Sequence, residues 1–180
     1  MMACLDVAYR DLEANVAAVL FRSWGDSAGA REIVTRAPSA ADYLPGEFYR
    51  RELPCLLALL ALVEKPLEVL IVDGYVWLGK GNEPGLGGHL YEALGRTTAV
   101  IGVAKSRFAG ADGAVPVLRG NSNRPLQVTA AGMDVAIAAR CIETMHGQHR
   151  IPTLLKRADR LSRSWTDMAE TPREGQRGNP

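Results

Sequence analysis

Leu67–Asp73 reads LEVLIVD, and Ala99–Lys105 reads AVIGVAK. Both are short, nearly continuous apolar runs rich in Val, Leu and Ile, the pattern of strands covered on both faces. Each ends on a charge, Asp73 or Lys105, and a helical stretch around Gly88–Leu94 lies between them. Strand, helix, strand in this order predicts a parallel pair with a right-handed crossover. Upstream, Ala3–Tyr9, Asn15–Phe21 and Arg31–Arg36 are three closely spaced apolar runs, the last two separated by the turn Gly25-Asp26-Ser27-Ala28-Gly29. They predict an antiparallel meander. Gly46–Lys65 is dominated by helix formers, with leucines at 53, 56, 57, 59, 60 and 62. Pro54 is expected to kink that helix or reset its first turn, and Pro66 blocks its continuation. Val115–Leu118 and Leu126–Thr129 predict a hairpin, and Met133–Met145 and Ile151–Trp165 predict two more helices. The sum is one three-layer α/β domain over residues 1–168. Its mixed sheet begins with the meander and carries helices on both faces. The polar residues 169–180 are expected to form a disordered tail.

A chain of 180 residues can bury a real core as one domain. Hydrophobic residues make up 47% and charged residues 23%, an ordinary globular composition. The longest apolar run, Leu53–Val63, is too short to cross a bilayer, and Met1–Tyr9 lacks the basic-then-apolar order of a secretory signal. Cys4, Cys55 and Cys141 are odd in number, widely spaced and in apolar contexts. They read as reduced core residues of a cytoplasmic protein, not as disulfides or zinc ligands. Net charge is only +1, but Arg119, Arg124, Lys156, Arg157, Arg160 and Arg163 gather toward the C-terminal half, where they could meet phosphates or simply face solvent.

Three acids stand out. Asp6 interrupts a core strand between Leu5 and Val7, Asp73 ends a strand of apolar residues, and Glu52 lies among the leucines of a helix. Asp is disfavoured in strands, and buried carboxylates need partners. Strand ends facing a crevice are where open α/β sheets bind ligands. Two adjacent strands and a helix can bring these acids together, and three converging carboxylates repel unless a divalent cation neutralises them. Hard oxygen ligands favour magnesium or manganese. The loop Gly79-Lys80-Gly81-Asn82-Glu83-Pro84-Gly85 lies between a strand and a helix, as phosphate loops do, but its spacing matches neither the dinucleotide fingerprint nor a P-loop.

At the level of motifs the sequence resembles the endonuclease V (deoxyinosine 3′ endonuclease) family. Asp6-Val7-Ala8-Tyr9 is similar to its D-V-x-Y strand. Tyr43-Leu44-Pro45-Gly46, then Arg51-Glu52 and Pro54, resembles its Y-x-P-G and F-R-E-x-P block, with Arg50 in place of Phe. Val72-Asp73-Gly74 resembles its V-D-G-H-G start, and Gly85-Leu86-Gly87-Gly88-His89 the segment that opens its next helix. Ile101-Gly102-Val103-Ala104-Lys105-Ser106-Arg107 is the most distinctive match. Arg150-Ile151-Pro152 with Ala158-Asp159 resembles its closing block.

The resemblance implies a ribonuclease-H-like fold and a metal-dependent endonuclease that cuts a phosphodiester near deaminated adenine (inosine) in DNA or RNA. It implies that Asp6 and Asp73 hold Mg2+ (or Mn2+ in its place), with Glu52 completing the cluster directly or through water and Asp159 near the metal. It implies that Lys105 neutralises the scissile phosphate, with Gly74 on the substrate side. Tyr43, Leu44 and Pro45 would fill the gap when the target base leaves the stack. Departures accompany these matches. The family's His-Pro-Arg after the D-G motif is replaced by a longer loop, its Gly-His near Met133 is missing, and its N-terminal helical segment does not precede the first strand. The sequence therefore reads as a divergent, N-terminally short member, with a non-catalytic nucleic-acid-binding relative as the alternative. His89 keeps a family position at a helix start, His146 matches nothing, and Asp134 reads as a helix N-cap.

Overall fold

The computed structural model describes residues 1–38, 49–79, 83–108, 110 and 112–165. The meander forms as expected: β1 (Met2–Arg10) pairs antiparallel with β2 (Glu13–Phe21), and β2 with β3 (Arg31–Pro38). On its other side β1 pairs parallel with β4 (Val69–Asp73), which pairs parallel with β7 (Ala99–Ala104). A closing antiparallel hairpin of β8 (Val115–Val117) and β9 (Leu126–Ala131) completes a seven-stranded sheet in the order β3-β2-β1-β4-β7-β9-β8. A feature absent from the sequence reading is a two-stranded hairpin, β5 (Trp77–Leu78) with β6 (Glu83–Pro84), inside the glycine-rich loop.

Alternation along the strands divides the core in two. Cys4, Ile71, Ile101 and Val103 point to one face, under α3 (Val135–Thr144) and α4 (Thr153–Ser162). Leu5, Leu70, Val72 and Val100 point to the other, under α1 (Tyr49–Leu60) and α2 (Leu86–Ala93). Fully buried leucines such as Leu5, Leu59 and Leu90 contribute about 2 kcal/mol each. The ribonuclease-H-like α/β architecture is therefore present, with helices on both faces. The helix around Pro54 runs from Tyr49 to Leu60 with the proline inside it, so Pro54 does not start the helix anew. Asp134 caps α3, accepting from the backbone N–H groups of Ala136 and Ile137. The cysteines are free, with Cys4 and Cys55 buried. Among the described residues no helix is long and apolar enough to cross a membrane.

Two glycines shape the sheet's edge. After Asp73 the chain turns through Gly74, whose φ of +132° suits glycine, and crosses the face of β7. It can cross because position 102 is glycine: a Cβ there would lie 2.6 Å from the Gly74 carbonyl oxygen and 2.8 Å from the Val76 nitrogen. Val76 N–H instead donates to Thr129 Oγ1 at 2.8 Å.

Candidate active site

β1 pairs with β4 only as far as Leu5↔Val72, and from Asp6 onward it pairs with β2 alone. The sheet therefore splays at Asp6, one residue past its last parallel contact, and Asp73 ends β4 at the same level. Both carboxylates are in phase with Cys4 and Ile71, so both point toward the α4 face. Lys105 follows β7 in the same phase as Val103. Its ammonium reaches Asp73 Oδ2 at 2.5 Å.

Asp6, Asp73, Lys105 and Asp159 line one small recess beneath α4, together with Ile151 and Leu155. Asp6 and Asp73 also line a second recess of about 140 Å3 with Glu52 from α1, Leu86 and Arg163. The sheet edge carrying Asp6 and Asp73 is thus the wall between Glu52 on one side and Asp159 on the other. Glu52 sits one turn before Leu56 and two before Leu59, whose burial holds α1 on the sheet. Asp159 is braced by Arg163 one turn later, Nε to Oδ1 at 3.0 Å.

The electrostatics are those of crowded acids. Burial, with repulsion from Asp73 and Asp159, pushes Asp6 from 3.8 to about 6, although Ser162 Oγ donates to its Oδ2 and Lys105 attracts it. Burial, then repulsion from Asp6 and Asp73, pushes Glu52 from 4.5 to about 7. Burial opposes the charge on Lys105, yet the hydrogen bond and attraction from Asp73, with Asp159 and Asp6 behind it, hold its pKa above the ordinary lysine value. Such a set of partly buried oxygen donors suits a hard divalent cation, which would relieve the repulsion. As they stand, however, no three His, Cys, Asp or Glu side chains among the described residues are grouped tightly enough to hold an ion. Lys105 occupies an oxygen of Asp73, and Ser162 one of Asp6.

A model of the endonuclease V family matches residues 1–132. The endonuclease V of Streptomyces avermitilis is 30% identical over 186 aligned positions, covering 88% of this chain and 77% of the relative. The chain belongs to the endonuclease V family. The crystal structure of that Streptomyces endonuclease V superposes with a TM-score of 0.71 at 28% identity, covering 90% of this chain and 79% of the other. The same fold is seen in the catalytic domain of human endonuclease V, with a TM-score of 0.74 at 24% identity over 90% of this chain and 80% of that one. It is also seen in the Ciona intestinalis endonuclease V in complex with a 24mer DNA containing an inosine followed by a ribo-adenosine. That structure has a TM-score of 0.73 at 20% identity, over 90% of this chain and 84% of that one.

Against this endonuclease V background, Tyr43, Leu44 and Pro45 lie outside the described residues, as do Lys80 and the tail beyond 165. His89 stacks on Tyr49, with ring centroids 3.6 Å apart and planes at 15°, and burial and the Arg50 charge lower its pKa. His146 is exposed and hydrogen-bonds Thr153 Oγ1. Arg119 is not available to phosphates. It is 6% exposed, and its guanidinium donates to the carbonyl oxygens of Glu143, Met145, Gly147 and His149, at the end of α3 and in the segment after it. There it satisfies carbonyls and complements the negative end of the helix dipole. Arg157 is tied to Glu32, Nη2 to Oε2 at 2.7 Å.

Three residues of consequence were not singled out from the sequence. Ser162 donates to Asp6 and carried no signal, being one serine in a polar helix. Asn15 is 1% exposed, and its Nδ2 donates to the carbonyls of Leu161, Ser162 and Ser164, docking the end of α4 against β2. An amide in an apolar strand is the same anomaly that exposed Asp6, and it could have been read. Tyr75 packs on Ala104. Its hydroxyl donates to Ser106 O at 2.8 Å and accepts from Phe108 N–H at 2.9 Å, so it braces the loop that carries Lys105.

Proposed function

We propose that the chain is a magnesium-dependent endonuclease that hydrolyses a phosphodiester near a deaminated base, inosine, in DNA or RNA, in the service of nucleic-acid repair. One observation carries the reading. Asp6 and Asp73 lie level where two adjacent parallel strands part, with Lys105 just past the end of the third and Glu52 across the edge. Asp6 and Asp73 are the residues that would hold the ion, with Glu52 and Asp159 completing the acidic wall directly or through water. When bound, magnesium, or manganese in its place, supplies Lewis-acid activation of water and neutralises charge on the phosphate. Lys105 turns from Asp73 to a non-bridging phosphate oxygen and stabilises the charge that grows there as the water oxygen bonds to phosphorus and the bridging P–O bond breaks. Ser162 keeps Asp6 oriented. Gly74 offers backbone without a side chain at the approach to the site, and Tyr43, Leu44 and Pro45 take the place of the departing base.

The test is cleavage of inosine-containing DNA and RNA strands, single and paired, with Mg2+ or Mn2+. Product is expected near inosine, and Asp73→Asn is expected to abolish it with the melting curve and circular dichroism preserved. Undiminished cleavage by that variant rejects the site. The loss of the family's His-Pro-Arg and Gly-His segments favours a second reading, a relative that binds nucleic acid without cutting it. Retained binding with no product from any substrate selects it.

A further inference from the structure

Lys105 lines a second, larger cavity. Along the Lys105–Arg107 loop lies an open cleft of about 650 Å3, walled by that loop, by Asn123–Pro125 and by β8–β9 residues, with Arg150 among its lining residues and none of Asp6, Glu52, Asp73 or Asp159. Four cations line it, Lys105, Arg107, Arg124 and Arg150, against Asp112 as the one carboxylate among its described lining residues. Arg150 stitches two of the walls together, its Nη2 donating to the carbonyl oxygens of Lys105 and Pro125, the latter at 2.9 Å. Tyr75 fixes the Ser106–Phe108 backbone from behind. Arg107 and Arg124 are exposed, and neither makes an ion pair among the described residues.

We propose that this cleft is a subsite for an unpaired sugar–phosphate strand continuing from the scissile bond, with Arg107 and Arg124 as its phosphate contacts. The inference rests on the nuclease reading of the acids and extends it. The two cavities share Lys105, so a strand with one phosphate at Lys105 enters the cleft with the next. The walls are held before the strand arrives, so little ordering cost opposes binding. Its volume is in the range of built ligand sites. A duplex must unpair and unstack a nucleotide, at a cost of a few kcal/mol, to lower it into such a recess, whereas an unpaired strand does so at little cost.

The experiment is fluorescence anisotropy in EDTA, which separates binding from cleavage. The probe is a labelled single strand of about 15 nucleotides carrying one inosine, titrated at several salt concentrations. Arg107→Ala/Arg124→Ala is expected to weaken binding about tenfold and to reduce the slope of log K against log salt by about 1.4, the value for two phosphate contacts on a single strand. The control Arg22→Ala/Arg96→Ala removes equal charge at the opposite end of the sheet, where Phe21 pairs with Met2 and Ala99 with Val69, and should bind as the parent does. Arg107→Lys/Arg124→Lys should restore the slope. Pairing the flanks with a complementary strand should abolish the difference between parent and double variant. Equal binding by parent and double variant, equal loss in the control, or equal sensitivity on a paired probe overturns the subsite. If the parent binds and cuts while the double variant is unaltered, the cleft assignment alone falls. A parent that binds no strand in EDTA overturns the subsite, and one that also cuts no strand with Mg2+ or Mn2+ removes the nuclease reading with it.

Discussion

Replacing Glu52 by Gln should make the metal-free protein more stable above neutral pH, although it removes a residue assigned to the site. Glu52 is held at about 7, against 4.5 for an ordinary glutamate, by burial and by repulsion from Asp6 and Asp73. The folded state therefore binds more protons than the unfolded chain between pH 4.5 and about 7. Stability falls as pH rises through that window and stays lower above it. Each pH unit is worth about 1.4 kcal/mol, so a fully ionised Glu52 costs on the order of 3 kcal/mol. Gln keeps the shape without the charge. After an allowance for burying its amide, the gain is about 2 kcal/mol, or roughly 4–8 °C in Tm for a domain of this size. The assay is thermal unfolding of both proteins in EDTA from pH 4 to pH 8. At pH 4, where Glu52 is largely protonated in both states, the Gln variant should be the less stable by about 1 kcal/mol, the cost of its amide, and the curves should cross and separate in its favour as pH rises. Adding Mg2+ at pH 8 should raise the parent's Tm by the binding linkage and raise that of Glu52→Gln less. Parallel pH curves, or a Gln variant less stable at every pH, would refute the account of a charge held under repulsion.

Ser162→Ala removes the hydroxyl that donates to Asp6 and lowers its pKa, so the Asp6 carboxyl should titrate above about 6, followed by carboxyl 13C NMR. Asn15→Ala removes the amide that clasps the Leu161, Ser162 and Ser164 carbonyls at the end of α4 and should cost about 2–3 kcal/mol in denaturant unfolding, with activity falling as α4 loosens. Arg119→Met leaves the carbonyls after α3 without a donor and should cost about 2–4 kcal/mol, while strand affinity of the folded fraction stays at the parent level. A loss of affinity without loss of stability would return Arg119 to the phosphate contacts. Lys105→Met should lower kcat by about a hundredfold or more in a cleavage assay, with weaker effects on binding.

The strands were legible because burial on both faces leaves little choice of residue: LEVLIVD and AVIGVA could be little else. Asp6 and Asp73 were legible for the converse reason, a carboxylate where apolar side chains belong. Their level placement followed once β1 and β4 were parallel neighbours. Side-chain partnership was not legible. Arg119 and Arg124 look alike as letters, yet one turns inward onto backbone carbonyls and the other faces a cleft. The hairpin of β5 and β6 was hidden because its strands are two residues each and carry no periodicity. The cleft itself was invisible, since its walls come from three separated segments whose polar residues read individually as loop.

The contact between Ser162 and Asp6 joins positions 156 residues apart, and Asn15 clasps the same helix end. On the ribosome, the first strands emerge long before the helix that finishes the pocket around them. A nascent polypeptide can thus assemble most of its sheet before that helix is in place. The surroundings of Asp6 are therefore completed last, when the closing helix docks and brings Ser162 and Asp159 to it.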